Sequence, residues 1–130
     1  MPKIISFGWT WPAVVARRKT ATRRDWDLEY AYRFRQGDVV LAYDRSPLFG
    51  GRPIAKIRLT QKPRYEPDAA MTDADYEAEG FAYLAEHPEL LPQSARKQAR
   101  VTLSREAFDG WRRAGGCSWV IRFEVLEVLV

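Results

Sequence analysis

Residues 118–129, SWVIRFEVLEVL, place the strongest constraint on how this chain can fold. Apolar and polar side chains alternate along much of the segment, and β-branched and aromatic residues dominate it. This pattern predicts a long strand that is largely buried. Its core-facing apolar residues are Val120, Ile121, Phe123, Val125, Leu126 and Val128.

Shorter strands and helices are mixed along the rest of the chain without a regular β-α order. Strands are predicted at residues 3–8, 39–43 and 54–63, helices after Thr10, at 27–33, at 72–86 and at 105–114, and an exposed basic excursion at 88–100. Hydrophobic residues make up 46% of the 130 residues, which is enough for one packed core. We therefore expect a single domain, residues 1–130, of the α+β class, with a small mixed β-barrel and flanking helices.

The cysteine and histidine content and the lengths of the apolar runs indicate where the protein functions and which kinds of site it can contain. The single cysteine, Cys117, excludes an internal disulfide and favours a reducing compartment. The apolar run after Lys3 is too short for a signal peptide, and no apolar run reaches the ~18 residues of a membrane span. Because His87 is the only histidine, we expect no metal-ligand cluster and no cofactor. These features predict a cytoplasmic protein without a membrane partner.

A basic run at residues 17–24, RRKTATRR, indicates binding to an anion. Five of its eight residues are cationic, within a net charge of only +4 for the chain. Guanidinium and ammonium groups bind phosphate, which makes nucleic acid the expected partner. The alternative is a solvated charged face with no ligand.

Aromatic side chains flank this run and offer surfaces on which a base can stack. We expect one of Trp9, Trp11 and Trp26 to lie at the rim of a cleft, and the other two to lie in the core. Tyr43 and Arg45 follow a predicted strand, where a loop can reach the same cleft; the alternative for this segment is an ordinary ion pair in a turn.

A glutamate in the predicted helix 72–86 is a candidate partner for the basic run. Tyr76, Glu79, Gly80 and Tyr83 share one helical face, so Glu79 turns inward if the tyrosines do. A buried carboxylate needs a cation, and Lys19 and Arg24 in the basic run are available. The alternative is a structural salt bridge or a glutamate in water.

Several motifs, in one order along the chain, carry a family resemblance. Lys19-x-x-Thr22-x-Arg24 resembles the K-x-x-T-x-R signature of ASCH domains, a branch of the PUA-like superfamily. Residues 34–38 (FRQGD), 39–44, 72–81 (ending in EGF) and 119–124 resemble the family's turn, strand, acidic helix and closing strand. The match extends from residue 4 to about residue 128. It implies a small β-barrel with a cleft that binds RNA or a modified nucleoside.

The resemblance also implies roles for individual residues. One bacterial branch, the N4-acetylcytidine amidohydrolases, uses a lysine, a threonine and a glutamate, which correspond to Lys19, Thr22 and Glu79. Thr22 would be the nucleophile, Lys19 would assist its deprotonation, and Glu79 would orient or share protons, while Arg24 holds the substrate. That branch has a glycine where this chain has Arg17.

The sequence thus favours one function and leaves others open. The leading hypothesis is a protein that binds RNA or single-stranded nucleic acid through a nucleotide-sized basic cleft, with Arg17 and Arg18 contacting phosphate. The alternatives are an amidohydrolase of acylated nucleosides, a metal-independent ribonuclease and a structural role. On physical grounds Thr22 is equally suited to bonding backbone groups. The choice between RNA and DNA and the oligomeric state stay open.

Overall fold

A mixed six-stranded sheet organises the fold in the computed structural model, which describes residues 3–130 apart from the side chain of Arg100. Its strands are β1 (Lys3–Ser6), β2 (Ala21–Arg24), β3 (Val39–Tyr43), β4 (Pro53–Leu59), β5 (Arg64–Pro67) and β6 (Cys117–Val128). The order is β1-β3-β4-β6-β2, and β5 also pairs with β6. β1 and β3 run parallel, whereas the other pairs are antiparallel.

The long strand β6 joins the two halves of the sheet, as its length and its apolar sequence predict. Its second half pairs with β4, where Leu59 lies opposite Phe123. Its first half lies between β5 and β2, and Arg24 lies opposite Trp119. One predicted core position differs, because Leu126 is exposed on the outer surface.

The sheet curls into a half barrel. Register shifts between Ala42 and Tyr43 in β3 and between Lys56 and Ile57 in β4 increase the local twist. In the part of the chain that the structure describes, β1 and β2 end the strand order without pairing with each other. The expected α+β class is therefore confirmed, whereas the expected barrel is only partly formed.

Seven short helices lie around the sheet in residues 3–130. They are α1 (Trp11–Val15), α2 (Leu28–Ala31), α3 (Asp73–Ala78), α4 (Phe81–Glu86), α5 (Gln93–Arg96), α6 (Ala99–Thr102) and α7 (Arg105–Arg113). α1 packs on β4 and β6, and α3 packs on β2. None of these helices has the length and apolar character needed to cross a membrane.

Local sequence signals locate several helix starts correctly. Thr72 and Asp75 form the predicted capping box at the start of α3. The Ser104 hydroxyl accepts from the backbone N–H of Ala107 at 3.1 Å and caps α7.

Two segments differ from the sequence prediction. β5 pairs with β6 although its sequence, RYEP, shows no strand pattern. Residues 88–100, predicted to be an exposed excursion, instead contain α5 and bury Leu91 and Ala99. These two side chains complete a second apolar cluster with Ala13, Leu84 and Leu103, so burial of apolar surface holds the segment in place.

Candidate functional site

A chain reversal after α1 delivers Lys19 to the interior. α1 ends at Val15, so Arg17 and Arg18 lie beyond the helix. Arg17 takes a left-handed conformation with φ of 63°, which turns the chain back towards the sheet. The backbone N–H of Lys19 then bonds to the carbonyl of Ala13 at 2.9 Å. Lys19 is consequently 2% exposed.

A helix break places Glu79 beside this lysine. The helix predicted at residues 72–86 is two helices, because Gly80 takes a left-handed conformation with φ of 86°. A side chain at Gly80 would place a Cβ only 2.8 Å from the Cβ of Ala13, so the close approach requires glycine. Glu79 ends α3 and is 2% exposed. Its burial therefore follows from the break rather than from a continuous helical face.

Lys19 contacts both the backbone and the side chain of Glu79. The Lys19 ammonium donates to the Glu79 carbonyl at 2.8 Å and lies 3.4 Å from Oε1. The carbonyl lies at the end of α3, where carbonyl groups lack helical partners and favour a cation. Burial lowers the pKa of Lys19, Glu79 raises it, and the guanidinium of Arg24 lowers it again, with a net decrease.

The carboxylate of Glu79 has a second partner that the sequence interpretation missed. Arg23 belongs to the basic run, but its side chain is only 4% exposed, so it does not form part of a solvated face. Its guanidinium donates to Glu79 Oε2 at 2.6 Å and lies 3.6 Å from Asp75. Arg122 donates to the other oxygen of Asp75 at 2.8 Å. The buried charges thus neutralise one another, which limits the cost of burying them.

Thr22 and Arg24 form the next part of the site. Both lie on β2, two residues apart and on one face of the strand, and Thr22 is 4% exposed. The Thr22 hydroxyl accepts from Arg24 Nε at 3.1 Å, and the Arg24 guanidinium lies over the ring of Phe7. Among the described residues no hydrogen bond joins Thr22 to Lys19. The geometry therefore gives Thr22 a cationic neighbour and not a base.

These side chains line an open cleft of about 520 Å³, the basic cleft. Its lining is Ser6, Phe7, Gly8, Trp9, Thr10, Lys19, Thr22, Arg23, Arg24, Arg45, Ser46, Glu79, Phe81 and Trp111. The volume lies within the range of roughly 300–1,000 Å³ typical of small-ligand pockets. Both polar contacts and aromatic surfaces are thus available to a ligand.

Some of the predicted aromatic and basic residues line the cleft, and others lie in the hydrophobic core or elsewhere on the surface. Trp9 lines the cleft and is 44% exposed, and its ring stacks on Phe81. Trp11 and Trp26 pack against the core instead. Arg45 lines the cleft, as expected.

The remaining predicted contacts lie away from the basic cleft. Arg17 donates to the carbonyl of Val125 at 2.7 Å, and Arg18 pairs with Glu77 on the exposed surface. Tyr43 is half-buried at the end of β3 and does not line the cleft. Any role for these three residues in binding stays a prediction.

Phe7, Phe81 and Trp111 line the cleft as well, and the sequence analysis named none of them as a site residue. Phe81 belongs to the EGF motif and follows Gly80, so its position was available as a signal. Trp111 lies in α7, is half-buried and lines the cleft. Its indole N–H donates to Asp68 at 3.1 Å, which fixes the ring. No local sequence pattern distinguishes a tryptophan that lines a cleft from one that is buried in the core.

Comparison with known proteins gives a likeness in fold. No family model and no curated protein matches this sequence. The chain is similar to the crystal structure of protein EF3133 from Enterococcus faecalis V583, which carries the family model DUF984, with a TM-score of 0.57 and 21% identity. The alignment covers 100% of this chain and 83% of that chain. At this identity the likeness concerns the fold alone.

Proposed function

We propose that this protein is an ASCH-type, PUA-like domain that binds a nucleotide of RNA in the basic cleft. One observation carries the proposal. A single cleft, with the exposed indole of Trp9 at its rim, is lined by Lys19, Thr22, Arg24 and Glu79. These are the residues of the ASCH-like motifs, brought together from two segments about sixty residues apart. The expected ligand is a nucleotide rather than a duplex, since the cleft has the volume of a small-molecule site.

The charge in the cleft favours a phosphate-bearing ligand. Four cationic side chains and one carboxylate line it. Lys19 and Arg23 are occupied by Glu79, which leaves Arg24 and Arg45 to attract an anion. Guanidinium groups bind phosphate with two parallel hydrogen bonds.

The aromatic rim and the buried polar groups suit the base and sugar. Trp9 presents an exposed ring on which a base can stack, and the ring is braced by Phe81. Thr22 and Glu79 supply a hydroxyl and carboxylate oxygens at the floor, which can bond to base edges or sugar hydroxyls. Binding would thus use charge at the rim and hydrogen bonds at the floor.

Salt-dependent binding of RNA tests the proposal. The probe is a fluorescein-labelled single-stranded RNA of about 12 nucleotides, followed by anisotropy between about 50 mM and about 200 mM salt. Arg45→Gln and Arg24→Gln are expected to weaken binding and to reduce the slope of log affinity against log salt by about one unit each. Arg113→Gln is the matched control, because it removes the same charge from an exposed site outside the cleft.

Absence of RNA binding at low salt contradicts the proposal, as does an equal effect of all three substitutions. Circular dichroism of each variant separates a loss of binding from a loss of folding. Recovery of intact probe in the presence of EDTA distinguishes binding from metal-independent cleavage.

A second candidate function, hydrolysis of an N4-acylated cytidine, is favoured by one observation. Lys19 has a lowered pKa and lines the same open cleft as Thr22. In this reaction the Thr22 hydroxyl would lose its proton as its oxygen bonds to the acyl carbon. The bond from that carbon to the N4 nitrogen would break, and the nitrogen would take up the proton that the hydroxyl gave up. Water would then release the acid from the threonine ester.

Thr22→Val separates the two functions, because valine keeps the shape of the side chain and removes the hydroxyl. Turnover of N4-acetylcytidine, followed by chromatography, would be abolished in an amidohydrolase. A binding protein would show no turnover in the wild type and only weakened affinity in the variant.

A further inference from the structure

A second cavity, larger than the basic cleft, lies beside β5 and the start of β6. It has a volume of about 940 Å³ and is bounded by the segment after α2 and the connection between β4 and β5. We call it the aromatic groove, and Tyr32, Tyr65, Trp119, Arg35, Lys62 and Arg64 are the lining residues that define it here. It shares no lining residue with the basic cleft.

Three rings form the wall and the floor of the aromatic groove. Trp119 is 8% exposed and forms the floor, since it packs against the hydrophobic core. The ring of Tyr65 lies 5.2 Å from it, and the ring of Tyr32 lies 6.3 Å from it on an edge-to-face contact. The floor is therefore a buried indole, and each tyrosine ring contacts it.

Both tyrosines expose most of their surface to solvent. Tyr32 is 70% exposed and Tyr65 is 62% exposed, so burial of their rings contributes little to stability. Two aromatic faces that border one groove provide stacking surfaces for planar groups. Stacking of bases on aromatic side chains is the main sequence-tolerant contact in single-strand recognition.

The charge around the groove selects the class of ligand. Arg35, Lys62 and Arg64 line it, and none of its lining residues in the described part of the chain is a carboxylate. Gln36 and Gln61 add amide groups, which can donate to and accept from base edges. Cations beside exposed rings fit a polyanion with planar groups better than a neutral sugar or a peptide.

We propose that the aromatic groove is a second binding site, which takes single-stranded nucleic acid by stacking bases on Tyr32 and Tyr65 and pairing phosphates with Arg35, Lys62 and Arg64. This inference rests on the proposed function only for the class of ligand, because it concerns residues outside the basic cleft. Arg24 and Trp119 lie opposite each other in the pairing of β2 with β6, so one strand pair links the two sites.

Substitution of the tyrosines tests the stacking. With the labelled single-stranded RNA, Tyr32→Ala and Tyr65→Ala are each expected to weaken binding roughly 5- to 150-fold. Tyr65→Phe keeps the ring and is expected to bind like the wild type. Phe49→Ala is the matched control, because it removes an aromatic ring that is 76% exposed and lines neither cavity.

Substitution of a lysine tests the charge. Lys62→Gln is expected to lower the salt slope by about one unit. Lys97→Gln, which removes the same charge from an exposed position outside the groove, is expected to leave the slope unchanged. Ultraviolet cross-linking of RNA that contains 4-thiouridine is expected to label peptides containing Tyr32 or Tyr65.

Each outcome separates this inference from the proposed function. If the two tyrosine variants bind like the wild type while Arg24→Gln binds weakly, the groove is not a site and the basic cleft remains one. If the tyrosine variants bind weakly while Arg24→Gln does not, the groove stands and the cleft proposal fails. Equal loss in Phe49→Ala, equal affinity for duplex RNA, or binding of a neutral peptide without RNA binding overturns the groove proposal.

Discussion

The Glu79 carboxylate is held more closely by Arg23 than by the lysine beside it. The distance from Arg23 to Oε2 is 2.6 Å, whereas Lys19 lies 3.4 Å from Oε1. Arg23 therefore anchors the carboxylate, and Lys19 donates its shorter hydrogen bond to the Glu79 carbonyl. The position of the Lys19 ammonium is therefore fixed by the Glu79 carbonyl as well as by the carboxylate.

Removal of the Glu79 charge is expected to destabilise the fold. Glu79→Gln leaves Lys19 and Arg23 buried with less compensating charge, at a cost of about 3–5 kcal/mol in the free energy of unfolding. Urea denaturation measures this change. Glu77→Gln is the control, because its partner Arg18 lies on the exposed surface and the pair is screened by water. Equal stability of the two variants would show that the buried network is not needed for folding.

Gly80 is expected to tolerate no side chain. Comparison with Gly37 separates the effect of a steric clash from the effect of backbone strain. Both glycines have positive φ, 86° and 89°, but a Cβ at Gly37 meets no atom within 4 Å. A Cβ at Gly80 would lie 2.8 Å from Ala13 and 3.2 Å from the Cβ of Lys19.

Gly80→Ala should therefore cost about 1–3 kcal/mol more than Gly37→Ala, since both share the backbone strain and only the first adds a clash. Thermal denaturation of the two variants gives the difference. Similar losses in both would mean that backbone conformation alone explains the need for glycine at position 80.

Elements with local signals were predictable from the sequence, whereas contacts between distant segments were not. The capping box at Thr72 and the alternation in β6 depend on neighbouring residues, so both were read correctly. The break at Gly80 was missed because a single glycine inside a helical pattern is compatible with a continuous helix. β5 forms because β6 offers it an edge, a cause that its own four residues do not reveal.

In the candidate site, too, local motifs were predictable from the sequence and contacts between distant segments were not. The motif residues Lys19, Thr22 and Glu79 were found from spacing and resemblance, and they line one cleft. The burial of Arg23 was not predictable, because its carboxylate partners lie more than fifty residues further along the chain. The aromatic groove has the same origin, since Tyr32, Tyr65 and Trp119 come from three separate segments.

The lowered pKa of Lys19 predicts a pH dependence of stability. Between its folded-state pKa and the unfolded value of about 10.4, the unfolded chain binds more protons at this residue. The contribution of Lys19 to the free energy of unfolding therefore rises with pH across this window. Lys19→Met lacks that contribution.

Urea denaturation of wild type and Lys19→Met at about pH 7 and about pH 9.5 is expected to show the difference moving in favour of the wild type at the higher pH. Groups common to both proteins cancel in this comparison. A difference that does not change with pH, or one that moves the other way, would be inconsistent with a lowered pKa.

Docking of residues 88–104 on the rest of the fold depends on Leu91. Its side chain is 3% exposed and belongs to the second apolar cluster, whereas that of Leu90 is 40% exposed. Leu91→Ala is expected to weaken the cluster by about 2–5 kcal/mol, because it leaves a cavity between α4 and this segment. Limited trypsin digestion measures the effect as faster cleavage after Arg96 and Lys97, both of which lie in or next to α5. Leu90→Ala removes an equal side chain from the surface and should leave the cleavage rate as in the wild type; equal rates in all three proteins would contradict docking through Leu91.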